Sequence, residues 1–195
     1  MKKLLTAISA LALVAVLGAC GSREEANEPT TTDAGTSTDV DTRATSVVGN
    51  TAEELQAAMA ADGPWVFGAT ADIDSDDVIT VDGNVYKTND ESLGYTRKIG
   101  LYSRVGNGDR TIASVFNLTA PSIVVNAENT MIMGGEVENL GDLDWPVVDA
   151  DIYVNANGFE LISVIVNGDI IFSSQAYADS ANLDGATVNG EQIVE

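Results

Sequence analysis

The feature that most restricts the fold of this chain is a three-residue motif that recurs along it. Valine followed by Asp or Asn and then Gly occurs at Val81-Asp82-Gly83, Val166-Asn167-Gly168 and Val188-Asn189-Gly190. The related pair Val125-Asn126-Ala127 and Val154-Asn155-Ala156 is spaced by 29 residues, and the last two glycine copies by 22. Val137 and Val166 are also 29 apart, so their segments are expected to align. Recurrence at 20–30 residues is typical of a solenoid, in which each winding buries its apolar face on its neighbours.

Two folds are compatible with these repeats. Asn-Gly and Asp-Gly supply the positive φ that corners of a solenoid need, but they also form the tight turns of hairpins in an antiparallel sandwich. The fixed spacing of the copies favours the solenoid. Apolar residues that follow one another within a run, instead of alternating with polar ones, favour it as well.

The chain from residue 51 reads as one helix followed by strands. Residues 51–61 are predicted to be helical, with Thr51 as N-cap, Glu54 completing a capping box, and a stop at residues 62–64. Leu55, Ala58 and Met59 fall on one face, so this helix is expected to cover one end of the β structure; a loosely packed surface helix is the alternative. From Trp65 onward, short β-prone runs alternate with turn residues.

The N-terminal segment has the layout of a secretory signal. Met1-Lys2-Lys3 is basic, residues 4–16 are apolar, and Leu17-Gly18-Ala19 precedes the single cysteine, Cys20. This ending resembles the lipobox of bacterial lipoproteins. The resemblance implies that residues 1–19 are a lipoprotein signal peptide, cleaved between Ala19 and Cys20, and that Cys20 carries the lipid. Residues 20–50 are too polar to form a core and are predicted to be a flexible acidic linker.

Charge and cysteine content limit the possible partners. The chain has 9 basic and 30 acidic residues, and loss of Lys2 and Lys3 with the signal peptide leaves a net charge of −23. This charge argues against nucleic acid as a partner and against flat docking on anionic lipid. Because Cys20 is the only cysteine, disulfides are excluded too.

Residues 52–61 and the strands after them resemble the capped start of right-handed parallel β-helices of the pectate-lyase-like kind. Residues 95–102, 118–121, 134–135 and 153–161 are similar to small bacterial lipoproteins with a β-helix and no assigned activity. Residues 166–170 resemble the polymer-forming bactofilins. The resemblance implies a right-handed parallel β-helix over residues 51–195 with an N-terminal capping helix, and it implies no catalytic residues.

Two stretches are candidate binding sites. Asp72, Asp74 and Asp76 alternate along the chain, which suits a hard cation such as calcium, although Asp77 and Gly83 stand where an EF-hand needs Gly and Glu. A solvated acidic turn is the alternative. Trp145 lies in an acidic loop expected to leave the stack, where it would contact carbohydrate or protein; packing into the core is the alternative.

The sequence favours a non-enzymatic function. The chain has no His, and it has no nucleophile elbow and no phosphate-binding loop. Arg97, Lys98, Arg104 and Arg110 could serve a polysaccharide lyase, but pairing with carboxylates is the simpler role. We therefore expect a binding or structural module of the bacterial cell envelope, anchored to a membrane by its lipid and contacting cell-wall carbohydrate or an envelope protein. The alternatives are a polysaccharide lyase or hydrolase and a self-assembling, bactofilin-like scaffold.

Overall fold

The computed structural model describes residues 46–106 and 110–195. The predicted signal peptide, Cys20 and most of the predicted linker lie outside the described residues. Among the described helices, none has the length and apolar character needed to cross a membrane.

Within these residues the chain forms fourteen β-strands and three short α-helices. The strands are β1 (Ser46–Gly49), β2 (Val66–Ala69), β3 (Ile73–Asp74), β4 (Ile79–Val81), β5 (Arg97–Gly100), β6 (Tyr102–Arg104), β7 (Ile112–Val115), β8 (Leu118–Val125), β9 (Thr130–Met133), β10 (Val147–Val154), β11 (Glu160–Val166), β12 (Ile170–Phe172), β13 (Asn182–Val188) and β14 (Gln192–Val194). The helices are α1 (Ala52–Met59), α2 (Val137–Leu140) and α3 (Gln175–Ser180). Strand β1 lies inside the segment predicted as linker (20–50), so the folded region includes Ser46–Gly49 and does not begin at Thr51.

The strands pair in three parallel ladders. Ladder A contains β1, β2, β5, β9 and the first halves of β11 and β13. Ladder B contains β3, the first parts of β8 and β10, and the second halves of β11 and β13. Ladder C contains β4, the second parts of β8 and β10, then β12 and β14. Among the described strands only β6 and β7 pair antiparallel. The fold is therefore mostly β and parallel, with a solenoid-like arrangement, and the antiparallel sandwich is excluded.

The core consists of aliphatic and aromatic side chains stacked winding on winding. Four positions in register on each ladder are at most 1% exposed: Phe67, Ile99, Ile132 and Leu161 on ladder A; Ile73, Leu118, Val148 and Val166 on ladder B; Ile79, Ile123, Ile152 and Ile170 on ladder C. Burying one such side chain contributes about 1.5–3 kcal/mol. Since no single winding encloses these residues, this stabilisation exists only in the stack.

The recurring Asn and Asp side chains form hydrogen-bonded rungs at the corners. After ladder C, the Asn126 amide donates to the Asp82 carboxylate at 2.9 Å, and the Asn155 amide donates to the Asn126 carbonyl at 2.9 Å. After ladder B, the Asn189 amide donates to the Asn167 carbonyl at 3.0 Å. The spacings of 29 and 22 residues therefore measure the lengths of two windings, as predicted.

Two details of the predicted repeat were wrong. Val81-Asp82-Gly83 does not stack with the two Asn-Gly copies, because it follows ladder C and pairs in register with Val125. Val137 does not align with Val166, because Val137 belongs to helix α2 in a connection that leaves the stack; Val148 occupies the register position opposite Val166.

The corner glycines serve two different purposes. Gly83 has the predicted positive φ of 75°. Gly168 and Gly190 are not among the described residues with positive φ; instead, an added Cβ would lie 2.2 Å from the Ala150 oxygen at Gly168 and 2.3 Å from the Gly168 oxygen at Gly190. These two glycines are needed because successive windings approach closely at this corner.

Connections from ladder A to ladder B differ from winding to winding. The β6–β7 hairpin separates β5 from β8, and helix α2 lies between β9 and β10. Strand β11, in contrast, passes from ladder A to ladder B without interruption. Connections of different content are therefore accommodated at this corner, while the ladders keep their register.

Helix α1 caps the β1 end of the stack, as predicted. The Thr51 hydroxyl accepts the Glu54 N–H at 3.2 Å, and the Glu54 carboxylate accepts the Asn50 N–H at 2.8 Å, close to a capping box. Leu55 and Met59 are fully buried against the core. The helix contacts the β-structure through this apolar face, so it is not a loose surface helix.

A polar bridge ties α1 to ladder C. The Gln56 amide donates to the Thr80 carbonyl at 3.1 Å and accepts the Thr80 N–H at 2.8 Å. These two hydrogen bonds occupy backbone groups at the exposed edge of β4. The helix therefore closes the edge that a further strand could otherwise use.

A buried arginine fixes the end of the helix. Arg97 of β5 is fully buried, and its guanidinium donates to four backbone carbonyls, those of Ala58 at 3.1 Å, Ala60 at 2.8 Å, Gly63 at 3.2 Å and Pro64 at 3.0 Å. The last carbonyls of a helix have no partner within it, and a cation there also interacts favourably with the helix dipole. Arg97 therefore joins the cap to the stack.

We predict that Arg97→Met lowers the free energy of unfolding by at least about 3 kcal/mol, since buried carbonyls lose their donors. Arg97→Lys should retain only part of the stability that Arg97→Met loses, because an ammonium group cannot reach all the carbonyls that the planar guanidinium contacts. Urea unfolding measures both. The exposed Arg110→Met is the control, with an expected change within about 0.5 kcal/mol. Equal stability of the Met variant and the control would contradict this role.

We predict that Asn126→Ala lowers the free energy of unfolding by about 1–2 kcal/mol, because it removes the hydrogen bonds to both Asp82 and Asn155. Asn155→Ala should lower it by less, because only the bond to Asn126 is lost. The double variant should be less destabilised than the sum of the two, by about 0.5–1 kcal/mol, since both changes remove the same hydrogen bond. Strictly additive effects in urea unfolding would show that the hydrogen bond between Asn126 and Asn155 does not stabilise the stack.

Candidate functional site

A groove of about 830 Å³ opens between helix α1 and the segment that carries β3 and the start of β4. We call it the cap groove. One wall comes from residues 50–60 and the other from residues 72–79. Its shape depends on the helix being held to the stack by Gln56 and Arg97.

The cap groove is strongly acidic. Five carboxylates line it, those of Glu53, Asp72, Asp74, Asp76 and Asp77. Uncharged polar groups come from Asn50, Thr51, Gln56 and Ser75, and an apolar portion from Ala52, Ala57, Ala60, Val78 and Ile79. No Lys or Arg is among the described residues that line it. Such a lining attracts positively charged groups and has apolar surface for the carbon atoms that carry them.

Local hydrogen bonds shape the acidic wall. The Ser75 hydroxyl donates to the Asp77 carbonyl at 2.8 Å and accepts the Asp77 N–H at 3.2 Å, which tightens the turn between β3 and β4. The Asp72 carboxylate accepts the N–H of Asn117 in the next winding at 2.7 Å. Asp72 therefore has a structural role at a corner, like the Asn rungs.

The three predicted metal ligands all lie in this groove, and all three are exposed. Among the residues that the structure describes, no three His, Cys, Asp or Glu side chains come close enough together to hold a metal ion. The Asp72 carboxylate already accepts a hydrogen bond from the Asn117 N–H, and Asp74 is part of strand β3. The geometry therefore gives no support to a calcium site at Asp72, Asp74 and Asp76, which stays a prediction.

Trp145 lies apart from the cap groove. It is half-buried on the connection between β9 and β10, which leaves the stack as expected. It is neither fully exposed nor one of the buried core residues. The structure does not bring Trp145 together with Asp72, Asp74 or Asp76, and its contact with a ligand stays a prediction.

The helical wall of the groove was not predicted from the sequence. Glu53, Gln56, Ala57 and Ala60 follow the 3, 4 and 7 spacing of one helix face, opposite the face of Leu55 and Met59. This spacing was available in the sequence. Which part of the chain this helix face lies against depends on tertiary packing, because the acidic wall is formed by residues 72–79.

The Lys and Arg residues of the described chain all fall between residues 87 and 110, and three of them contact aromatic rings. Lys87 Nζ lies 5.6 Å from the centre of the Trp65 ring, and Lys98 Nζ lies 5.2 Å from that of Tyr102 and 3.0 Å from its hydroxyl. Arg104 lies 5.6 Å from the same ring. Cation–π contacts of this kind are worth about 0.5–1 kcal/mol at exposed sites.

Of the four residues considered for a lyase, Arg104 pairs with a carboxylate as expected, donating to both oxygens of Glu136 at 2.8 and 2.9 Å. Burial lowers the pKa of Arg104, but Tyr102 and Glu136 outweigh this effect and raise it overall. Burial likewise raises the pKa of Glu136, whereas its own backbone N–H and Arg104 bring it below its usual range. Arg97 is buried and donates to backbone carbonyls instead, and Lys98 contacts the ring and hydroxyl of Tyr102.

Two tyrosines stack beside this region. The rings of Tyr86 and Tyr95 are 4.6 Å apart, and the Tyr86 hydroxyl donates to the Tyr95 hydroxyl at 3.2 Å. That hydrogen bond, with burial and the charges of Tyr95 and Glu91, raises the pKa of Tyr86 to about 12. Tyr86 is therefore neutral near pH 7 and does not act as a general base there.

No protein-family model matches this chain, and searches among curated proteins and among solved structures found none that is similar to it.

Proposed function

We propose that this protein is a lipid-anchored, non-enzymatic binding module of the bacterial cell envelope that holds positively charged groups of a partner in its cap groove. The observation that carries the proposal is the groove itself: about 830 Å³, five carboxylates and no basic residue among its described lining. A groove of this charge repels acidic polysaccharides, which disfavours the lyase alternative and favours an envelope protein or an amine-bearing polymer as partner.

The proposal includes a right-handed parallel β-helix closed at one end by α1. Parallel pairing of strands from successive windings supports it, and parallel crossover connections are right-handed in about 98% of cases. In such a fold the cap helix and the first winding are held rigidly. A rigid groove loses little conformational freedom when a ligand binds.

Anchoring through Cys20 rests on the sequence of residues 1–20 alone. Two or three acyl chains at one sulfur and its amine hold a protein stably, because each buried CH₂ contributes about 0.8 kcal/mol. The acidic linker would keep the folded part away from a membrane surface of the same charge.

We predict that the wild-type chain, expressed in a bacterium, sediments with membranes and that its N-terminal peptide has the mass of acylated Cys20. Cys20→Ser should abolish both properties, because the side chain loses the thiol that is acylated. Ser22→Ala is the matched control and should remain with the membranes. A free thiol at Cys20 in the wild-type protein would contradict the anchor.

We predict that the full-length chain in non-ionic detergent binds pentalysine and not pentaglutamate, with an affinity that falls as salt rises. Asp74→Asn/Asp76→Asn should weaken binding about tenfold, which corresponds to about 1.4 kcal/mol. Asp142→Asn/Asp144→Asn is the control, because it removes two carboxylates at the same spacing outside the groove. It should change the affinity for pentalysine less than twofold. Calorimetry measures all three proteins. Equal losses in both double variants would show that net charge, and not the groove, binds the peptide.

A further inference from the structure

The stack presents an open edge on the side of β13 and β14 that faces away from α1. Within the part of the chain that the structure describes, β13 pairs only with β11, and β14 only with β12. The Asn182 and Asn189 N–H groups donate towards β11, to Phe159 and Val166, at 2.8 Å each. Because parallel strands direct successive peptide groups to opposite sides, β13 also presents donors and acceptors to the open edge.

The inward-facing residues beside this edge are covered less than their counterparts one winding earlier. Leu161, Val164 and Val166 of β11 are fully buried, whereas Leu183, Ala186 and Val188 of β13 are only half-buried and pack against the core from one side. On ladder C, Phe172 is 2% exposed, but Val194, its partner in register, is 43% exposed. An added strand would therefore cover apolar surface as well as pair backbone groups.

A carboxylate stands at the next position of a corner series. Asp151 accepts the N–H of Asp169 at 2.9 Å, and Asp169 accepts the N–H of Glu191 at 2.7 Å. Each carboxylate in the series accepts a donor from the following winding. Glu191 is exposed and comes next in the series, so a donor entering along the open edge would meet its carboxylate.

Charge decides which occupant fits this edge. Residues 111–195 contain 13 acidic residues and no Lys or Arg. Pairing the edge with that of a second copy would bring the exposed carboxylates of Asp184, Glu191 and Glu195 close to those of the other copy, and like charges on opposing edges disfavour strand pairing. An extended segment with basic side chains meets no such repulsion and gains from complementary charge.

We propose that the open edge of β13 binds an extended segment of a partner protein in which apolar and basic residues alternate, and that this segment continues ladders A and B as an added strand. Main-chain hydrogen bonds supply affinity in this mode of recognition, and the side chains supply specificity. The apolar residues of the segment cover Leu183, Ala186 and Val188, and its basic residues meet Asp184 and Glu191. This site is separate from the cap groove.

The test uses the full-length chain in non-ionic detergent and a heptapeptide of alternating Val and Lys, matched to the seven residues of β13. Hydrogen exchange of the backbone N–H groups in residues 182–188 should slow about tenfold when the peptide is bound. The same peptide with methyl groups on alternate backbone nitrogens keeps its charge and side chains but loses the donors of one edge. It should bind at least about tenfold more weakly.

Two protein variants separate this edge from the cap groove. Asp184→Asn/Glu191→Gln should weaken binding of the alternating peptide about fivefold, and Asp74→Asn/Asp76→Asn should leave slowed exchange at residues 182–188 intact. The proposal is overturned if protection appears around residues 50–60 and 72–79 instead. It is also overturned if the methylated peptide binds as tightly as the unmodified one. Concentration-dependent protection of β13 without peptide would show that a second copy occupies the edge.

Discussion

The stability of this protein depends on the fact that no winding can bury its own apolar face. Ile123, Ile152 and Ile170 are excluded from water only because each lies on the residue of the neighbouring winding. The hydrogen-bonded rungs at Asp82, Asn126 and Asn155 fix the register in which this stacking occurs. Apolar contact therefore supplies the energy, and the corner side chains determine which residues meet.

The first and last windings of such a stack have a neighbouring winding on one side only, so their outer edges differ from those in the middle. At the β1 end, α1 covers the core, Gln56 occupies the backbone groups of Thr80, and Arg97 binds the carbonyls that follow the helix. The cap groove is a product of this closure, because one wall is the helix and the other is the first winding. At β13 and β14 the described structure offers unpaired backbone groups and half-covered aliphatic residues. The two candidate sites thus arise from two ways of ending one stack.

The sequence predicted parallel windings with recurring corner residues, but it did not predict the connections between them, for a physical reason. Asn126 and Asn155 must recur at the length of one winding if they are to bond, so their spacing is visible in the sequence. Val81-Asp82-Gly83 was grouped with the wrong copies because the same residue types suit two different corners. Val137 was misaligned because an insertion interrupts its winding. The helical wall of the groove and the buried position of Arg97 depend on contacts between distant residues, which composition and spacing do not encode.

The connections between ladders A and B differ in content, with a hairpin in one winding, a helix in the next and none in a third. The ladders on either side are unaffected by this variation. The connections at this corner can therefore be lengthened, shortened or exchanged without a change in the core. The same freedom makes this corner a natural position for grafting a foreign epitope or a reporter group onto an otherwise unaltered scaffold.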